Sequence, residues 1–250
     1  MRRLIFSTFL IKAEQHVIWI CSGYPLINFR LIDAYKLPNF DLLITLNTMA
    51  YGDFTFDLIE ERFGIKNRAG QIFEPVIALA PSDWLEKALI TAHELPLRTE
   101  KAKSELIVLP ILLELRARND KFFTIYSGEN LNAAPESGLN GECDFILTKD
   151  VGSVSISYPI VQVVEAKKND VDVGLPQCAA QLIGARRFNE KKGIHVAKLY
   201  GCVTTGDQWL FLCLEHDTLT VSPTSFYLNQ LGEILGAFQQ IIDYYRQALP

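Results

Sequence analysis

Two short stretches hold the residues best placed to do chemistry: Gly141-Glu142-Cys143-Asp144-Phe145-Ile146-Leu147 and Val161-Gln162-Val163-Val164-Glu165-Ala166-Lys167. Both read as strands, being rich in β-branched and aromatic residues. Side chains alternate across a strand, so Val161, Val163, Glu165 and Lys167 share one face while Ile160, Val164 and Ala166 share the other. Apolar residues dominate both faces, the pattern of a central strand covered on both sides. Two same-face charges at the end of such a strand require a partner or a purpose. If the two strands pair, Asp144 and Glu165 come within reach of one cation. Carboxylate oxygens, completed by water and substrate phosphate, are the ligands that Mg²⁺ prefers. Lys167 would lie beside that metal, where it could orient or deprotonate a water or stabilise charge developing on phosphorus. The competing reading of Glu165 and Lys167 is a strand-end salt bridge. Glu-x-Lys alone says little, since Glu190-Lys191-Lys192 repeats it on a polar helix end.

The elements around these residues can be read from Thr99 onward. Lys101 to Arg118 is apolar-periodic and helical, with Pro110 kinking or dividing it. Lys121 to Tyr126 reads as a strand and Gly128 to Gly141 as a long loop rich in Asn, Gly, Pro and Glu. After strands at Cys143–Leu147 and Ile160–Lys167, Gly174-Leu175-Pro176 opens a helix running to about Asn189. Leu199–Thr204 and Trp209–Leu214 form a hairpin around Thr205-Gly206-Asp207-Gln208, and Ser225–Leu249 is an amphipathic helix. This order implies an α/β fold, a mixed central β-sheet flanked by α-helices.

Asp144, Glu165-Ala166-Lys167 on a strand and a following helix bearing glutamines together resemble the PD-(D/E)xK nuclease superfamily. Leu139-Asn140-Gly141, Cys143-Asp144-Phe145, Gln177-Cys178 and Val203-Thr204-Thr205-Gly206 with Trp209 are similar, more narrowly, to an uncharacterised bacterial family of such proteins. The resemblance covers about residues 99–216 and extends back toward Met49. It implies a restriction-endonuclease-like core, with Asp144 and Glu165 as metal ligands and Lys167 as the catalytic lysine. Gln177 would be the motif glutamine, and Gln181, one turn later, could share its role. A further glutamate is expected from the first core helix, where Glu105 and Glu114 compete. They lie about 180° apart on a helix, so only one can face the site. Ser104-Glu105 resembles the helix start in type I restriction subunits, which favours Glu105. Cys143 stands where the superfamily usually has Pro.

The implied cofactor is Mg²⁺ or Mn²⁺, and the implied activity is hydrolysis of phosphodiester bonds in DNA, in restriction, defence or repair. RNA remains open as a substrate, as does a homodimer, since proteins of this fold often pair to cut both strands. The alternative is a catalytically inactive module of the same fold that binds nucleic acid or a protein partner.

Composition bounds these readings. The 250 residues are 49% hydrophobic and 21% charged, as in a folded globular protein. A net charge of −5 excludes a polycation that coats nucleic acid, so any such binding must be local. Residues 161–200 hold seven Lys and Arg against four Asp and Glu, a local basic region or a solvated helix face. The five cysteines form no CxxC pair and the four histidines no HxxxH spacing, which points to reduced thiols in the cytoplasm rather than a disulfide or zinc scaffold. No apolar run approaches the roughly 18 to 20 residues of a membrane span, so no membrane partner is expected. The opening Met1-Arg2-Arg3-Leu4-Ile5-Phe6 resembles a signal peptide only until Lys12. Residues 1–96 read as an N-terminal segment and 97–250 as the nuclease-like domain. Within the former, residues 1–48 read as an upstream extension and Met49 as a natural start. A helix from Phe54 to Phe63 closed by Gly64, and one capped at Ser82, follow it.

Overall fold

The computed structural model describes the backbone of residues 7–13 and 16–22, and the chain over 49–149 and 152–249. It divides into two compact units, Met1–Thr48 and Met49–Pro250. In the first, strands β1 (Ser7–Ala13) and β2 (His16–Ser22) form an antiparallel hairpin with Ala13 opposite His16. The apolar run Leu42–Leu46 lies outside the described residues. The second unit begins at Met49 and takes in residues 49–96, which the sequence had suggested were separate from the domain at 97–250. The reason is a strand: β3 (Lys66–Ala69) runs parallel to β9 (Thr218–Val221) and completes one edge of the main sheet.

That sheet runs β3-β9-β8-β7-β6-β5-β4, with the two-residue strand β10 (Phe226–Tyr227) paired to β8. Its other strands are β4 (Thr124–Asn130), β5 (Glu142–Thr148), β6 (Ile160–Ala166), β7 (Lys198–Thr204) and β8 (Gln208–Glu215). β4, β5 and β6 form an antiparallel meander, β6 and β7 are parallel, and β7, β8 and β9 are antiparallel. The architecture is therefore mixed α/β, as expected. The parallel pair needs a crossover, and helix α5 (Leu175–Glu190) supplies it. Every residue of β6 is buried, the environment read from its apolar faces.

Helix α5 covers one face of the sheet, where Val203 and Gly201 point. On the other face Trp209 and Phe211 of β8 meet Phe238 of helix α6 (Leu231–Ala248) edge-on, at centroid distances of 5.9 and 5.1 Å. Beside α6 lies α4 (Leu109–Arg118), joined to it by a two-way amide pair between Asn119 and Gln239, each bond 2.9 Å. Helix α2 (Asp83–His93) has the expected cap, with Ser82 accepting an N–H bond at its start, and Gly64 takes the left-handed conformation that ends α1 (Phe56–Phe63). α1 starts two residues later than expected, because the extended Thr55 accepts the Leu58 N–H as its N-cap. Among the described residues no helix is long and apolar enough to cross a membrane.

Three further elements differ from expectation, each for a physical reason. The helix expected over 101–118 is divided into α3 (Glu100–Lys103), a π-helical turn Ser104–Val108, and α4. Pro110 has no N–H and its ring crowds the carbonyl one turn back, so the wider turn, closed by Leu109 N–H to the Ser104 carbonyl, relieves it. β4 starts later than expected, because Asp120 and Lys121 turn the chain with φ of 53° and 58°, and runs on into the expected loop because Glu129 and Asn130 pair with Cys143 and Glu142 of β5. The helix expected from Ser225 starts only at Leu231, because Phe226 and Tyr227 pair with Trp209 and Gln208 of β8.

Residues ahead of α1 are keyed into the unit by one aromatic ring. The Tyr51 hydroxyl donates to the Leu131 carbonyl at 2.8 Å, and its ring lies on Gly184 of α5. A Cβ at Gly184 would sit 2.1 Å from that hydroxyl oxygen. We therefore expect Gly184→Ala to destabilise the fold by about 1–3 kcal/mol through overpacking. Urea unfolding should also show that Tyr51→Phe, which removes the clashing oxygen, recovers part of that loss in the double variant.

Candidate functional site

The β5–β6 ladder ends at Phe145 opposite Val164, and one step further Asp144 and Glu165 face each other on the side covered by α5. The Asp144 carboxylate accepts the backbone N–H of Ala166 at 2.7 Å, which ties the two strand ends together. Glu165, only 2% exposed, is held by three donors. Lys167 Nζ and Gln177 Nε2 reach its Oε1 at 2.7 and 2.6 Å, and Gln181 Nε2 reaches its Oε2 at 2.7 Å. Lys167 Nζ also donates to Gln177 Oε1 at 3.0 Å, closing a ring of three side chains. Gln177 and Gln181 are four residues apart on α5, so both point the same way. The structure thus brings together Asp144, Glu165, Lys167, Gln177 and Gln181.

Backbone geometry sets this ring. Lys167 N–H donates to the Thr204 carbonyl at 2.7 Å, holding the strand end against β7. The turn Asp172–Gly174 then starts α5 directly over Lys167. A Cβ at Gly174 would lie 2.9 Å from Lys167 Cγ and 2.6 Å from Val203 Cγ1, so only glycine lets the helix start this close. On the outer side, Tyr51 N–H donates to the Asn140 carbonyl and the Asn140 amide to the Met49 carbonyl. This places Gly52 near Gln177, with an ideal Cβ 3.9 Å from its Oε1.

Neither glutamate expected from the first helix joins the ring. Glu105 is turned outward, its side chain 59% exposed and ion-paired with Lys101 at 3.7 Å. Glu114 is buried elsewhere, accepting bonds from Ser82 at 3.2 and 2.7 Å and from Arg118 at 2.9 Å, and so fastens α2 to α4. Among the acids of these first helices it is Glu100 whose charge acts on the site, adding to burial in raising Asp144, as Glu142 beside it also does, and helping to raise Lys167. Glu100 opens α3 behind the N-cap Thr99, and Lys103 on the same face donates to the Lys168 carbonyl at 3.1 Å. Thr99-Glu100 at a helix start was the available signal, and the interruption at Ser104–Val108 concealed the phase.

Burial dominates the electrostatics. Removal from water pushes the Glu165 carboxyl up to about 7, aided by the Asp144 charge and opposed by Lys167 and Gln181. Asp144 is raised by the same cause, opposed by its bond from Ala166 and by Lys167. Burial alone would lower the Lys167 pKa, but Glu165, Glu100 and Asp144 more than offset it, so the side chain stays an ammonium. Of the basic residues counted along 161–200, Lys167 belongs to the ring, while others are engaged elsewhere. Arg187 pairs with Glu190, Lys198 with Glu215, and Arg186 donates to the His216 carbonyl.

Among the described residues no cluster of three or more His, Cys, Asp and Glu is close enough to hold a metal. Two carboxylates remain, which fits a hard cation that keeps several waters and fits zinc poorly. Gln181 Oε1 is buried without a hydrogen-bond partner, so an acceptor is also left over beside them. Comparison of the chain with protein-family models, with curated proteins and with solved structures found no match.

The Glu165 carboxyl binds its proton more tightly folded than unfolded, where its ordinary value is near 4.5. Its protonated form therefore contributes stability that is present below about 4.5 and lost as pH rises through about 7. Urea unfolding should show wild type losing stability relative to Glu165→Gln between about pH 5 and pH 8. A flat difference would mean that Glu165 is ionised throughout.

Proposed function

We propose that this chain is a Mg²⁺-dependent nuclease that hydrolyses phosphodiester bonds in DNA on a restriction-endonuclease-like core. The observation that carries the reading is the convergence of Asp144, Glu165 and Lys167 on one face at the carboxyl end of β6, locked by α5. Two further features support it: the order α4-β4-β5-β6-α5-β7 and the parallel β6–β7 pair with its helical crossover.

In this reading Asp144 and Glu165 would hold the metal, which supplies Lewis-acid activation of the phosphoryl group and of water. Lys167, kept protonated by its carboxylate neighbours, donates hydrogen bonds: it orients the attacking water and stabilises negative charge gathering on phosphorus. Gln177 and Gln181 fix the Glu165 carboxylate, so that little reorganisation is needed when charge develops. Glu100 adds negative potential and is the first-helix acid of the site.

A second reading, an inactive nucleic-acid- or protein-binding module of the same fold, is favoured by one fact. Both oxygens of Glu165 are already occupied by Lys167, Gln177 and Gln181. Mg²⁺ titration by calorimetry and plasmid cleavage separate the two. Asp144→Asn should lose metal binding and cleavage, and Lys167→Ala should cleave about 10²–10³-fold more slowly with metal still bound. Full cleavage by Glu165→Ala would overturn the nuclease reading. In the same assays Glu100→Gln should slow cleavage at least about tenfold, whereas Glu105→Ala should match wild type, the reverse of what sequence suggests.

A further inference from the structure

The carboxyl end of the sheet continues past the site. From Lys167 on β6 it passes Thr204 of β7 and reaches the turn that opens β8. There an open cavity of about 560 Å³ is lined by His93, Asp207, Tyr227, Leu228, Asn229 and Gln230. Lys103 joins the two places, with Nζ donating to the Lys168 carbonyl at 3.1 Å and lying 3.4 Å from the Asp207 carboxylate. Two strand spacings separate β6 from β8 and a third separates β8 from β10, which carries Tyr227, so Tyr227 is about 14 Å from the strand end at Lys167, or about four base steps of a nucleic-acid strand.

The lining defines what it can take. No Lys or Arg faces the cavity, and Asp207 does, so a phosphate is disfavoured. What remains suits a planar, uncharged group with donors and acceptors on its edge. Tyr227 is 48% exposed, offering its ring, and its backbone is fixed opposite Gln208 of β8, so the platform is rigid. Nδ1 of His93 is tied to the Leu89 carbonyl, which leaves Nε2 for a ligand. Gln230 gives its Nε2 to Glu233 and keeps its carbonyl oxygen. Asn229 is exposed, with its amide available. Aromatic faces with nearby amides are how proteins hold unpaired bases.

We propose that this cavity is a nucleobase subsite, in which Tyr227 stacks on one unpaired base of the DNA strand whose phosphodiester lies at Lys167. The inference rests on the nuclease reading. Its test uses the full chain in EDTA, which prevents cleavage, with a fluorescent single-stranded DNA dodecamer and a dodecamer of the same backbone lacking bases. Fluorescence anisotropy should show Tyr227→Ala binding the normal strand about tenfold more weakly than wild type. Tyr227→Phe should stay within about twofold, because the ring is kept. On the base-free strand Tyr227→Ala and wild type should bind alike. Equal affinity of Tyr227→Ala and wild type for the normal strand would overturn the subsite, as would an equal loss on both strands. Wild type failing to discriminate the two strands would overturn it without using any variant. Plasmid cleavage by wild type in Mg²⁺, run alongside, tells the cases apart. Cleavage without base discrimination removes only the subsite, whereas neither binding nor cleavage removes the nuclease reading with it.

Discussion

A carboxylate at the end of a strand buried on both faces cannot rely on water, and taking such an ion out of water costs several kcal/mol unless hydrogen bonds replace its hydration. Glu165 is in that position, and much of the unit is arranged around satisfying it. Three donors converge on its two oxygens, one from its own strand and two from consecutive turns of α5. Even so, burial leaves its proton held more tightly than in water. The carboxylate is thus restrained and strained in the electrostatic sense, a combination that an added positive charge would relieve.

The demand propagates outward. For Gln177 and Gln181 to reach Glu165, α5 must start immediately above Lys167, which is why Gly174 stands at the contact with Lys167 and Val203. For α5 to lie flat on β6 and β7, those strands must be parallel and joined by a right-sized crossover. The loop ahead of Asp144 is in turn pinned by Tyr51 and Asn140, so residues far upstream help to set where the second carboxylate sits. The opposite face, with Trp209, Phe211 and Phe238, supplies the apolar burial that holds the sheet while its edge carries charge. The buried charged cluster is confined to one end, and the aromatic packing lies on the other side.

Much of this was legible in the residues. Alternation along 161–167 put Glu165 and Lys167 on one face, and the structure keeps them there, bonded at 2.7 Å. The four-residue spacing of Gln177 and Gln181 announced one helix face, and Pro176 announced the helix start. Ser82 and Gly64 marked helix ends through local chemistry that needs no distant partner. Less legible were Glu105 and Glu114. Their 180° separation was sound as helix geometry, but the turn at Ser104–Val108 changes the phase, and Ser82 and Arg118 claim Glu114.

Sequence alone determined the elements whose causes are local: strand alternation, caps, the proline division, and the pairing of a carboxylate with an ammonium two residues away. Tertiary structure decided what depends on meeting a distant segment. It drew β3 and β10 into the sheet against β9 and β8, because exposed strand edges take hydrogen bonds from whatever backbone lies alongside. It also turned Glu105 outward to pair with Lys101 and left Glu100 as the acid of that helix whose charge acts on Asp144, since which helix residue faces a site depends on how the whole helix is seated. Spacing can say which residues share a face, but packing decides where that face points.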